Sequence, residues 1–101
     1  MITYNQIEKY LLEHRDDLAK MNVKRIGVFG SFIRNEQTEK SDIDFLVEYQ
    51  KGAKSFDNYI ALVNYLEKSF SRNVDLLTPE SISKYLKPYI DKEVRYVEIN
   101  D

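Results

Sequence analysis

The amino-acid sequence predicts an α+β fold: a small mixed or antiparallel β-sheet with helices packed against it. Three observations predict it. Helix-periodic segments and short β-branched or aromatic runs interleave in the order α-β-β-α-β-α. The stretch from Lys51 to Arg72 that separates the second and third strand candidates is too long for a tight hairpin. The chain of 101 residues has one domain's length, taken as residues 1–101. A domain of that size buries roughly 60–70% of the surface of its unfolded chain, enough for one modest core.

The elements follow in order. Thr3 and Gln6 have the spacing of a capping box, and Ile7, Leu11, His14 and Leu18 continue a helical face behind it. Val23 to Phe29 is a β-branched and aromatic run, read as the first strand and ended by Gly30-Ser31. Ile43 to Tyr49 is the second strand, with Ile43, Phe45, Val47 and Tyr49 on one face. Lys51-Gly52 turns the chain, and Ser55 caps a helix carrying Phe56, Ile60, Val63, Leu66 and Phe70. Asn73 to Leu77 is a short third strand. Thr78-Pro79-Glu80 reads as the start of a helix that stops or kinks near Pro88. The alternating tail Val94 to Ile99 suggests a late edge strand. Strand order is left open by pattern alone.

Composition narrows the function. Fifteen basic and seventeen acidic residues give a formal charge of −2, without the basic excess that marks binding to a long nucleic acid. The absence of cysteine excludes disulfides and thiolate metal sites. The N-terminus lacks the apolar core of a signal peptide, and no apolar run nears the roughly 20 residues of a membrane span. A small cytoplasmic domain without a membrane partner is expected. The eight tyrosines suit the core boundary, or alternatively a partner surface. His14, the only histidine, reads as a boundary residue, and Lys84 to Lys87 as a solvated helix face.

The chemistry concentrates around two strand ends. Gly30-Ser31 follows the first strand, and ten residues later Asp42-Ile43-Asp44 opens the second. Side chains two apart on a strand point the same way, so both carboxylates share a face while Ile43 packs on the other. Paired carboxylates repel unless a cation lies between them. Magnesium takes one or two carboxylates together with substrate phosphates. Gly30 lets backbone donors approach an anion, Ser31 adds a hydroxyl, and Arg34 reaches the same phosphates if residues 31–35 begin a helical turn. Asp75, between Val74 and Leu76, presents a third carboxylate; beside the second strand it would join Asp42 and Asp44 as a base or as a ligand of a second metal. Each piece alone has an ordinary explanation as loop, turn or edge residue. At average residue usage their joint occurrence at this spacing is roughly a one-in-a-thousand event.

Val28-Phe29-Gly30-Ser31 through Arg34 to Ser41-Asp42-Ile43-Asp44-Phe45-Leu46-Val47 resembles the signature of the MNT-type minimal nucleotidyltransferases, within the DNA polymerase β-like nucleotidyltransferase superfamily. Gly30, Ser31, Asp42 and Asp44 meet the Gly-Ser, ten residues, Asp-x-Asp pattern without a gap, and Asp75 matches the third acid in its Val-Asp-Leu strand. The resemblance covers residues 23–78 well. Two positions depart from it: Ile33 stands where a small residue is common, and Asn35 where glycine is. Asparagine tolerates unusual backbone conformations, so the turn is expected to survive.

The resemblance implies a nucleotidyltransferase-type sheet and a Mg²⁺-dependent transfer of AMP from ATP. It assigns Asp42, Asp44 and Asp75 to catalysis and metal, and Gly30, Ser31 and Arg34 to the nucleotide. It also implies a HEPN-type partner protein, often a ribonuclease toxin, whose tyrosine accepts AMP and for which this chain acts as antitoxin, in a homo- or hetero-oligomer. The rival expectation is a non-catalytic subunit that neutralises such a partner by binding alone. Transfer to a small molecule or to RNA would need residues for the acceptor that this short chain does not spare.

Overall fold

The computed structural model describes residues 2–100. The elements are α1 (Tyr4–Glu13), α2 (Arg15–Lys20), β1 (Val23–Phe29), α3 (Ser31–Arg34), β2 (Ile43–Tyr49), α4 (Phe56–Phe70), β3 (Val74–Leu77), α5 (Lys87–Glu93) and β4 (Arg95–Glu98). The strands form one mixed sheet in the order β3-β2-β1-β4. β1 pairs antiparallel with both β2 and β4, whereas β2 and β3 run parallel because α4 carries the chain across between them.

Alternation along the strands sets two unequal cores. Ile26 and Val28 of β1, Ile43, Phe45 and Val47 of β2, and Val74 and Leu76 of β3 join Ile7 and Leu11 of α1, Leu18 of α2, and Leu62 and Leu66 of α4. Burying each such side chain stabilises the fold by about 1.5–3 kcal/mol before entropy is counted. On the opposite face a smaller cluster of Phe29, Leu46 and Ile90 seats α5. Gly27 makes room for this second layer: a side-chain carbon there would overlap Val94 and Tyr96.

The two longer strands occupy the expected residues, and the capping box forms, with the Thr3 amide donating to Gln6 Oε1 at 2.8 Å. Four expectations change. The first helix breaks at His14, which leaves helical geometry at φ −113° and ψ 25° and stacks its ring on Tyr10, with centroids 3.8 Å apart. In α4 the inner line is Tyr59, Leu62, Val63, Leu66 and Phe70, while Phe56 and Ile60 stay exposed on the flank toward β3. Pro79–Ser81 closes as a single 3₁₀ turn, because the Ser81 hydroxyl donates back to the Thr78 carbonyl at 2.8 Å. Pro88 starts α5 rather than ending a helix, since a fixed φ and missing N–H suit a first turn.

The tail strand forms as β4, an edge strand on β1. Among the tyrosines Tyr4 is buried, Tyr10, Tyr49, Tyr59, Tyr65 and Tyr96 are half-buried, and only Tyr85 and Tyr89 stand exposed. The boundary reading therefore describes most of them.

Candidate active site

β1 ends at Phe29, opposite Asp44 in the antiparallel register. Gly30 then turns with φ 78° and ψ −150°, and a side-chain carbon at this position would collide with Oδ2 of Asp44. Glycine is required here twice over, by the positive φ and by the close approach. Ser31–Arg34 forms the single helical turn expected from the sequence, and Asn35 closes it in the left-handed region at φ 59° and ψ 37°. Arg34 is thereby returned toward the strand ends, where its Nη1 donates to Glu93 Oε1 at 2.6 Å and its Nε to Glu36 Oε1 at 2.7 Å.

The parallel pairing of β2 with β3 sets Asp44 opposite Asp75. Asp42 lies just before β2 and is exposed, as is Asp75, whereas Asp44 is half-buried. Their proximity registers on Asp44, whose carboxyl is pushed up to about 6. Burial is the largest cause; the charge of Asp75, a hydrogen bond shared with Asp75 and the charge of Asp42 follow, and Arg34 opposes them. The structure thus brings Gly30, Arg34, Asp42, Asp44 and Asp75 to one locality at the ends of β1, β2 and β3, and Ser31 follows Gly30 directly.

Among the described residues no group of three or more His, Asp or Glu side chains forms a cage able to hold a metal ion by itself. The donor set nonetheless fits magnesium used with a nucleotide. The carboxylates of half-buried Asp44 and exposed Asp42 and Asp75 are hard oxygen ligands, and Mg²⁺ ordinarily completes its shell with substrate phosphates and water.

Sequence reasoning missed several supporting residues. Arg72 donates from Nη1 to the Ser41 carbonyl at 2.9 Å, fastening the loop that presents Asp42. The Glu67 side chain accepts from the Val74 amide at 3.1 Å, and the Tyr59 hydroxyl donates to the Leu76 carbonyl at 2.7 Å, so α4 satisfies the open edge of β3. Glu93 accepts from both the Gly30 amide and Arg34. Apart from Glu67, which lies seven residues before Val74, these contacts span seventeen positions or more, and no local motif announces any of them. Beside the acids runs a surface groove of about 420 Å³, bordered by Phe29, Tyr59, Ile60 and Leu77 together with Asp44 and Asp75.

Residues 8–97 match the family model of the nucleotidyltransferase domain. The chain belongs to that family. Among relatives of this nucleotidyltransferase, a Methanocaldococcus jannaschii protein provisionally named a protein adenylyltransferase is 43% identical over 100 residues, covering 96% of this chain and 100% of that protein. The protein adenylyltransferase MntA of Thermococcus cleftensis is 37% identical over 98 residues, covering 96% of this chain and 98% of its own. A solved structure provisionally described as a minimal nucleotidyltransferase superposes with a TM-score of 0.70 at 26% identity, over 87% of this chain and 93% of that one. A second structure, tri-AMPylated Shewanella oneidensis HEPN toxin in complex with MNT antitoxin, gives a TM-score of 0.55 at 19% identity over 84% and 69% of the two chains. At that identity the likeness is one of fold. No helix of the described residues is long and apolar enough to cross a membrane.

Proposed function

We propose that this nucleotidyltransferase transfers AMP from ATP to a hydroxyl of a HEPN-type partner protein, a tyrosine's, and so acts as that partner's antitoxin in the cytoplasm, where ATP is at hand. The observation that carries the reading is the register that sets Asp75 beside Asp44, with Asp42 at the mouth of the same strand. Relatives named protein adenylyltransferase support a protein as acceptor, and the fold shared with the structure of an AMPylated HEPN toxin in complex with MNT antitoxin is consistent with it.

Each residue then has a task. Asp42 and Asp44 would hold magnesium with the triphosphate, and Asp75 stands close enough to contribute. When bound, the metal supplies positive charge against the phosphate oxygens and the departing pyrophosphate. The Gly30 amide, Ser31 and Arg34 orient the phosphates. The incoming hydroxyl oxygen bonds to the α-phosphorus as the bond from that phosphorus to the bridging oxygen breaks and pyrophosphate leaves. The hydroxyl proton passes to the exposed carboxylate of Asp75. The groove beside the acids gives the acceptor side chain an apolar approach.

One observation favours the rival, a subunit that neutralises its partner by binding without transfer. The Gly30 amide and Arg34, the donors assigned to phosphate, already serve Glu93. The two readings separate cleanly: incubate the protein with ATP, magnesium and the co-purified partner, then weigh the partner by mass spectrometry. Adenylyl additions that vanish with Asp44→Asn support transfer. A tight complex whose partner never gains mass supports the rival.

A further inference from the structure

The carboxylate of Glu93 divides its oxygens between two donors on the turn after β1: Oε2 accepts from the Gly30 amide at 2.8 Å and Oε1 from Arg34 Nη1 at 2.6 Å. This contact is built rather than incidental. Glu93 closes the last turn of α5, whose Ile90 packs on Phe29 and Leu46, and its side chain is only 20% exposed. The two donors are those the proposed function assigns to phosphate, so the inference rests on that reading. An amide hydrogen aimed at one anion cannot serve a second, and a carboxylate at hydrogen-bond distance repels an arriving phosphate. We infer that Glu93 is an intramolecular stand-in for a phosphate group, competing with the triphosphate for Gly30 and Arg34 and thereby setting the affinity for nucleotide.

The arrangement has a second consequence. Gly30 is buried, and a buried amide left without an acceptor is costly. Glu93 satisfies that amide until a phosphate oxygen takes over, so the turn keeps its shape through the exchange. Arg34 keeps its second partner, Glu36, on the exposed side while Glu93 is displaced. Nucleotide occupancy is therefore coupled to the last turn of α5, the element whose first turn carries the exposed Tyr89.

The test is calorimetric titration of ATP, with magnesium, into the wild type, Glu93→Gln, Arg34→Ala and the double variant. The amide of glutamine keeps the size of the side chain and removes its charge. Glu93→Gln is expected to bind ATP about tenfold more tightly, as loss of a charge-assisted competitor implies. The gain should shrink sharply in the Arg34→Ala background, because the competition runs through that guanidinium. Equal or weaker ATP binding by a folded Glu93→Gln, in a wild type that binds ATP and needs Arg34 to do so, overturns the inference and leaves the proposed function standing. If neither the wild type nor Glu93→Gln binds ATP, the nucleotide reading falls and takes the inference with it. Should Glu93→Gln fail to fold, the Gly30 amide resonance of the wild type decides the matter. Saturating ATP should move it, and an unmoved resonance counts against displacement.

Discussion

Asp44→Asn should abolish transfer and stabilise the protein. The Asp44 carboxyl is raised from 3.8 to about 6, so the folded chain holds a proton at this site over a range where the unfolded chain has released it. The sign follows from linkage: the stability this group contributes is fully present below about pH 4 and is lost as pH rises through about 6. At about 1.4 kcal/mol per pH unit, the interval caps the cost of ionising Asp44 at roughly 3 kcal/mol. Asp44 is only half-buried and solvent screens it, which brings the figure to about 1–1.5 kcal/mol. An asparagine removes the charge and keeps a donor for Asp75. Urea titrations in the presence of a chelator should therefore show the variant ahead by that amount above about pH 7, equivalent to about 5–10 °C in melting temperature. Below about pH 4 the advantage should vanish, since a protonated carboxyl and an amide are then near-equivalent. A variant less stable than wild type near neutral pH, or one whose advantage persists unchanged into acid, would refute the reasoning and make Asp44 a structural residue.

The other predictions concern the site's parts. Asp75→Asn should lower turnover by far more than it weakens magnesium–ATP binding, as measured by single-turnover kinetics beside calorimetry; an equal fall in both would make Asp75 a ligand of the substrate metal and not the base. ATP should bind more tightly with magnesium than with a chelator, because its phosphate oxygens complete the shell begun by the carboxylates, and equal affinity in the two buffers would count against the metal site. Gly30→Ala should destabilise the fold by about 1–3 kcal/mol in urea, from positive φ and the collision with Asp44. A neutral Gly30→Ala would mean the turn relaxes freely.

What the sequence revealed and what it hid divide along a physical line. β1 and β2 were legible to the residue because alternation and β-branching are local signals, as were the Thr3 and Ser55 caps. The Gly30-to-Asp44 locality was legible because its parts lie close together in the chain and one strand end faces the next. The break at His14 was not, because helical spacing continues through it to the buried Leu18. The exposure of Phe56 and Ile60 was not legible, since periodicity sets them on one line with Val63, Leu66 and Phe70 but does not report where the sheet beneath the helix ends. Pro79 and Pro88 are each compatible with a helix start, and only the local closure of Ser81 on Thr78 decides which one begins a true helix. Glu93 was invisible for a simpler reason: it meets Gly30 across sixty-three positions, with nothing in its surroundings to mark it.

Asp75 shows how the larger core determines the charged site. Its place depends on the register of β3, and a strand this short has few hydrogen bonds with which to hold one. The buried Val74 and Leu76 supply the discrimination, pairing with Ile43 and Phe45 over the hydrophobic layer beneath α4. A slip of one residue would drive Asp75 into that layer and lift two apolar side chains into water, at a cost of several kcal/mol. Glu67 and Tyr59 add to the hold by taking the outward amide of Val74 and carbonyl of Leu76. The apolar residues that flank Asp75 thus place its carboxylate beside Asp44 more firmly than any contact of its own, against the repulsion that the pair generates. A Val74→Ala, Leu76→Ala variant should accordingly lose transfer activity before it loses its helices by circular dichroism; activity that persists until the whole fold melts would show that the acids hold their own places.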